Sequence, residues 1–227
     1  MKNFDVSLYG HLSYDRIFNQ FKEVNSVGCM GNVWNRLISL DPSLKINISP
    51  TALGEALIYV DDNQCKRASI ANLNLKTLTE PKSLPSSRWN HILYLNELDN
   101  DLSWMNRIPE EEIISADVCK GKPIKLDLLK KLDYLFISDE DLFHSIEELT
   151  SHTKGWVIMH QKSGSHCSNG VENFDVRIEP LNDINVLGAG DIFAASVIYL
   201  KIKNEKMSFI DIITKAHEDT KKCLEKR

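Results

Sequence analysis

No stretch of this 227-residue chain is apolar for long enough to span a bilayer, which argues against a helical membrane protein. An excess of basic charge is lacking too. The chain has 27 Lys and Arg against 32 Asp and Glu, a formal net charge of −5, and that balance gives no reason to expect nucleic acid. Cysteine is sparse: Cys29, Cys65, Cys119, Cys167 and Cys223 are scattered, odd in number and never paired as C-x-x-C. A disulfide framework and a zinc site of ordinary spacing are therefore not expected; His160, His166 and Cys167 come nearest to a ligand cluster without having its spacing. The opening Met1-Lys-Asn-Phe-Asp-Val lacks the apolar segment and cleavage site of a secretory signal, so reduced thiols in a cytoplasm are the expectation. Repeats and low-complexity segments are absent as well. What is there is an ordinary globular composition, 42% hydrophobic, sufficient for one core and a small appendage.

Along the chain, Phe4 to Tyr9 reads as a strand ended by Gly10, and Asn32 to Leu40 as a helix with Val33, Leu37 and Leu40 on one face. An irregular passage follows between Pro42 and Pro50. Ala56 to Val60 looks extended, Asp61-Asp-Asn63 supplies a polar turn, and Arg67 to Leu75 alternates apolar with polar residues. Together these suggest a small antiparallel lid, at about residues 46–79, inserted into a larger single domain. After Pro85 the pattern changes to short apolar runs: His91 to Leu95, Glu112 to Ala116, Tyr134 to Ile137 and Trp156 to Met159. Possible helices separate some of them, notably Leu126 to Leu132 and Glu140 to Thr150. Apolar strands alternating with helices imply a mainly parallel sheet covered on both faces, with ligands beyond the carboxyl ends of its strands. Those ends carry Glu97, Asp117, Ser138 and Asp141. A final helix is expected from Phe209 to Glu225. The four tryptophans suit packing, Glu110-Glu-Glu112 a solvated surface, and the C-terminal lysines a helix terminus.

The richest stretch is Asn185-Val-Leu-Gly-Ala-Gly-Asp-Ile-Phe-Ala-Ala195. Gly188, Ala189 and Gly190 place almost no side chain at the start of an expected helix, where free N–H groups attract an anion. Asp191 follows immediately, positioned to take a proton from an attacking hydroxyl. A backbone anion pocket beside a base suggests phosphoryl transfer. A tight strand-to-helix turn with an N-terminal Asp is the plainer alternative.

This stretch resembles the second signature of the PfkB/ribokinase family of sugar and nucleoside kinases, and other segments match that family in order. Gly10-His-Leu-Ser-Tyr-Asp15 is similar to its first strand with a substrate-binding Asp. Gly28-Cys-Met-Gly-Asn32 resembles its glycine-rich substrate loop. Pro50-Thr51, Ala56 to Val60 and Arg67 look like lid strands, and Ile113-Ile-Ser-Ala-Asp117 like a strand ending in a family Asp. The resemblance implies a ribokinase-like three-layer α/β/α core with a β-sheet lid, and transfer of the terminal phosphate of ATP, with Mg²⁺, to a hydroxyl of a sugar or related polyol. It makes Asp191 the base, with Gly188, Ala189 and Gly190 as the anion hole, and assigns Asp15, Gly28 and Asn32 to substrate hydroxyls. Arg67, Glu97 and Asp117 are further substrate-side candidates; Glu97 and Asp117 suit a solvated loop equally well, and an exposed lid arginine is the more economical reading of Arg67. Asn185, Ser138 and Gly164 are the nucleotide-side candidates and Asp141 the metal candidate.

The chain departs from the family pattern at defined places. Asn185-Val186 stands where Asp-Thr is usual, and Ser138-Asp-Glu-Asp141 where Asn-x-x-Glu is usual. Against the family pattern, a βα unit is skipped between Leu40 and Pro50. These departures leave open a non-catalytic homologue that binds a sugar-like ligand or a protein partner. An exposed lid sheet has open edges, so a homodimer clasped around Ala56 to Leu75 is expected.

Overall fold

In the computed structural model, residues 2–19, 22–61, 66–78, 80–97, 102–118, 122–141, 143–181 and 186–226 are described. The strands are β1 (Phe4–Asn19), β2 (Lys22–Ser26), β3 (Ile46–Asp61), β4 (Lys66–Thr77), β5 (Ser87–Leu93), β6 (Ile113–Asp117), β7 (Tyr134–Ser138), β8 (Trp156–Gln161), β9 (Gly164–Ser168) and β10 (Asn173–Arg177). The helices are α1 (Gly28–Leu40), α2 (Ile146–His152), α3 (Ala189–Lys203) and α4 (Phe209–Leu224). The strands form a single sheet in the order β10-β9-β8-β7-β6-β5-β1-β3-β4, with β2 paired to β1. From β3 through β1 and β5 to β8 the pairings are parallel, and the hairpins at the two ends are antiparallel.

The strand expected to stop at Gly10 instead runs on. Pairing of β1 with β5 ends at Gly10 and Leu93, whereas pairing with β3 continues to Asn19 and Val60. Gly10 has φ 97, and a β-carbon there would lie 2.1 Å from the Leu93 carbonyl oxygen. Only glycine lets the backbone pass so near, and the register shift at this point turns the strand away from β5. Pro50 of β3 sits opposite Gly10, at the irregularity where a strand tolerates a missing N–H. The distal halves of β1 and β3, with β2 and β4, thus form a lid that is continuous with the core sheet.

Helices cover both faces. On one face α1, α3 and α4 bury Met30, Leu37, Ile198, Phe193 and Ile213 against Leu8, Trp89, Phe136 and Ile158. On the other, short 3-10 turns and α2 pack Trp104, Met105, Leu129 and Leu149 on Tyr9, Ile92, Leu135 and Val157. Helix α3 is buried almost all round because it lies between α1, α4 and the sheet, which explains its nearly unbroken apolar sequence.

Several expected elements shift for identifiable reasons. Helix α1 begins at Gly28, not Asn32, because Cys29 and Met30 reach the core and offset the poor helix propensity of Gly28 and Gly31. The helix expected over residues 140–150 resolves into a 3-10 turn at Asp139–Asp141 and α2. Ser145 caps α2 by accepting the Glu148 N–H at 3.1 Å. Leu126–Lys131 is a 3-10 helix. Strands β9 and β10 had no sequence signal strong enough to announce them. Trp89 and Trp104 are core residues, whereas Trp34 is 40% exposed.

Candidate active site

The carboxyl ends of the central strands and the start of α3 meet at one edge of the sheet. Gly188, with φ 76, is the left-handed residue from which α3 springs. A β-carbon there would lie 2.8 Å from Asn32 Nδ2, so glycine is required by both conformation and space. The Ala189 N–H already donates to the Val186 carbonyl at 2.9 Å. Gly190, in the first helical turn, has no intrahelical acceptor for its own N–H and makes no backbone bond outside the helix among the described residues. Of these two amides, that of Gly190 is therefore the one without a backbone acceptor among the described residues.

Asp191 follows within the same turn. Asn32 Nδ2 donates to its Oδ2 at 2.7 Å, joining α1 to α3 across the site. The bond orients the carboxylate at the start of α3. Asp15 stands nearby on the lid-ward half of β1, where it accepts from Ser13 Oγ at 2.5 Å. Gly28, with φ 52, opens α1 directly against this pair: a β-carbon would lie 2.1 Å from Ser13 Oγ and 3.2 Å from Asp15 Oδ1. Burial, and then the charges of Asp191, Asp117 and Asp15, push the Cys29 thiol well above its ordinary value. The buried thiol thus lies near all three carboxylates and stays protonated.

Asp117 ends β6. Its Oδ1 accepts the Tyr94 N–H at 2.5 Å, holding Tyr94 at φ 56, a conformation uncommon for a non-glycine residue. A buried chain lies behind it. Trp89 Nε1 donates to Ser115 Oγ at 2.7 Å, and the same hydroxyl is hydrogen-bonded to His91 Nδ1 at 2.8 Å. His91 Nε2 lies 3.9 Å from Asp117 Oδ2. Burial pushes His91 down to about 3, so it is neutral.

On the other side of α3 lies a mostly apolar cleft of about 100 Å³. Ala189, Gly190, Val186, Leu181, Ile178, Phe193 and Leu224 line it, with His160, Gln161, Lys162, His217, Thr220 and Lys221 as its polar groups. Burial holds both imidazoles near 4, and His217 Nε2 is 2.6 Å from Ser165 Oγ. The cleft thus opens onto Gly190, with the carboxylates on the opposite side.

Of the sequence-derived candidates, the fold gathers Asp191, Gly188, Gly190, Asn32, Asp15, Gly28 and Asp117. Gly164 lies in the β8–β9 turn, where a β-carbon would be 1.8 Å from the Val176 carbonyl oxygen; strand packing accounts for this glycine. Ser138 Oγ accepts from Glu140 N at 3.3 Å and donates to Asp139, which ties it to its own turn. Arg67 lies in β4, Glu97 ends a 3-10 turn after β5, and Asp141 ends the turn after β7. Asn185 lies outside the described residues. Ser13, Tyr94, His91 and, in the cleft, Ile178, Leu181, His217 and Leu224 escaped the sequence reading, because no motif links them; only the fold does.

Solved structures with the same architecture were found at 12–14% sequence identity. A probable sugar kinase from Rhizobium etli CFN 42 superposes with a TM-score of 0.76, at 14% identity, over 99% of this chain and 94% of that one. This chain has a ribokinase-like fold. A pyrophosphate-dependent kinase in the ribokinase family matches with a TM-score of 0.67 at 14% identity, over 97% of this chain and 95% of that one. A putative ribokinase II from E. coli, solved with ATP and Mg²⁺, matches with a TM-score of 0.64 at 12% identity, over 99% of this chain and 94% of that one. No family model and no curated protein matches the chain in sequence. In the ribokinase-like frame the lid is the sheet extension carrying Asp15, and the cleft beside Gly190 lies on the α3–α4 face.

Proposed function

We propose that this protein is a small-molecule kinase that moves the terminal phosphate of ATP to a hydroxyl of a sugar or related polyol. The observation that carries the reading is the position of Asp191. It is held by Asn32 from the opposite side of the site, and stands one residue from the amide on which the cleft opens. Phosphoryl transfer asks mainly for positioning and charge stabilisation. Gly190 N–H and the positive end of α3 supply the second, stabilising charge on the transferring group. Asp191 Oδ1 accepts the proton of the attacking hydroxyl. Asp15 and Asp117, with Asn32, present acceptors and a donor to the remaining hydroxyls under the lid.

Solved neighbours include a pyrophosphate-dependent enzyme and one bound to ATP, so the donor is argued from the cleft. Pyrophosphate has no apolar part, whereas Ile178, Leu181, Val186, Phe193 and Leu224 form a surface suited to a nucleoside base. Among the described residues no three His, Cys, Asp or Glu side chains gather as a metal site. In this reading Mg²⁺ enters with the nucleotide as part of the substrate, and Asp141 is its sequence candidate. A second reading, a non-catalytic homologue that binds a sugar-like ligand or a partner, draws on Val186, which presents no hydroxyl to the cleft. The lid's outer face, with Tyr59 stacked on Phe18 at 5.2 Å and 49% exposed, supports a homodimer through the lid.

The deciding experiment measures ADP release from ATP–Mg²⁺ across a panel of sugars, polyols and nucleosides. We expect turnover with at least one acceptor, and a loss of about 10²- to 10⁴-fold in Asp191→Asn with the fold intact. Near-normal turnover in that variant rejects Asp191 as the base, and no turnover with any acceptor favours the binder.

A further inference from the structure

We propose that His160 is a direct ligand of the donor's phosphate, contacting it from the floor of the cleft beneath the first turn of α3. The inference rests on the phosphoryl-transfer reading above and adds a side chain that the glycine motif does not announce. His160 lies next to the end of β8 and lines the cleft together with Ala189 and Gly190. The approach is close: a β-carbon on Gly190 would lie 3.1 Å from both Cε1 and Nε2 of the ring. Glycine at 190 thus leaves imidazole and helix amide bordering the same space. The ring packs near Phe193, with centroids 6.0 Å apart. Its nitrogens make no hydrogen bond or ion pair among the described residues, although His217, on the far side of Phe193, is bonded to Ser165. A polar ring in mostly apolar surroundings, beside an amide that also lacks a partner, is matched by one ligand chemistry: an anion with several acceptor oxygens.

The surrounding charges allow such a ligand. Asp139, after β7, favours a proton on His160, while His217 on α4 is a neutral neighbour that resists a second charge. Lys162 in the β8–β9 turn and Lys221 on α4 line the cleft, and α3 contributes its positive end and Asp191. Burial outweighs the rest and pushes His160 down to about 4, so the ring is neutral in the free protein near neutral pH. A phosphate against the ring adds the opposite charge that burial lacks, raising the affinity for a proton. The proton comes from solvent and goes to a ring nitrogen, and no bond to phosphorus forms or breaks. Donor binding is then linked to proton uptake at pH values between the free and bound titrations, and uptake disappears above both.

Titration calorimetry with inorganic pyrophosphate and with ADP, at about pH 6 in two buffers of different ionisation enthalpy, tests this. The wild-type protein should bind both with net proton uptake. His160→Asn keeps a hydrogen-bond donor but cannot become charged; it should bind both about tenfold more weakly, with the uptake lost. Equal affinity and equal uptake in His160→Asn overturn the proposal. Should that variant fail to fold, ¹⁵N spectra of the wild-type histidines decide. A His160 ring that moves toward imidazolium on adding pyrophosphate supports the assignment, and an unchanged ring refutes it. Wild-type protein that binds neither anion at millimolar concentration defeats the phosphoryl-transfer reading itself, whereas binding indifferent to His160 defeats only this inference.

Discussion

The placement of Gly188 and Asp191 at the start of α3 could be read from the sequence because its signal is local: three minimal residues and a carboxylate in consecutive positions. His91, His160 and His217 could not, because their character comes from burial that only the folded chain supplies. Each is held neutral, near 3, 4 and 4, against an ordinary value of 6.5. Between those limits the unfolded chain binds more protons than the folded one, so stability rises with pH. The contribution of these three residues is complete above about pH 6.5 and is lost as the pH falls toward 4. Thermal melting followed from pH 7 to pH 5 should show a falling midpoint, with a shallower fall in His217→Asn. An identical slope in that variant would mean that His217 titrates normally in the folded protein.

At the scale of elements, the legible parts were those whose pattern is self-contained. Helix α4 was expected from Phe209 to Glu225 and runs to Leu224, because Ser208 caps it and its apolar face is regular. The lid was legible as extended chain but not as a continuation of β1 and β3. Gly10 looked like a stop, and only its contact with Leu93 shows that it is a passage. Gly10→Ala should therefore damage more than the local turn, loosening the junction that carries Asp15 over the site. The lid's outer face bears Tyr14, Leu53 and Tyr59, all more than a third exposed, beside the Phe18 ring that Arg16 overlies at 5.4 Å. Light scattering at tens of micromolar should give a dimer that Tyr59→Glu converts to monomer; a wild-type monomer removes the lid clasp.

For the whole molecule, a mainly parallel sheet with helices on both faces followed from alternating apolar runs, and the ordered matches to the PfkB/ribokinase pattern agreed with it. The site is assembled from segments as distant as residues 15 and 191, which no single window of sequence displays. The nearness of Asp15, Asp117 and Asp191 to Cys29 is a product of topology: β1 passes from core to lid just before Asp15, β6 ends at Asp117, and α3 begins just before Asp191. The cleft beside Gly190 is likewise lined from α3, α4 and the β8–β9 hairpin. The most direct measurement is a crystal structure of the protein grown with ADP and Mg²⁺. We predict the terminal phosphate within about 3 Å of the Gly190 nitrogen, the base among Ile178, Leu181 and Leu224, and Asp191 facing the phosphate from the acceptor side. Phosphate bound elsewhere, with the Gly190 amide covered by the protein itself, would contradict the account.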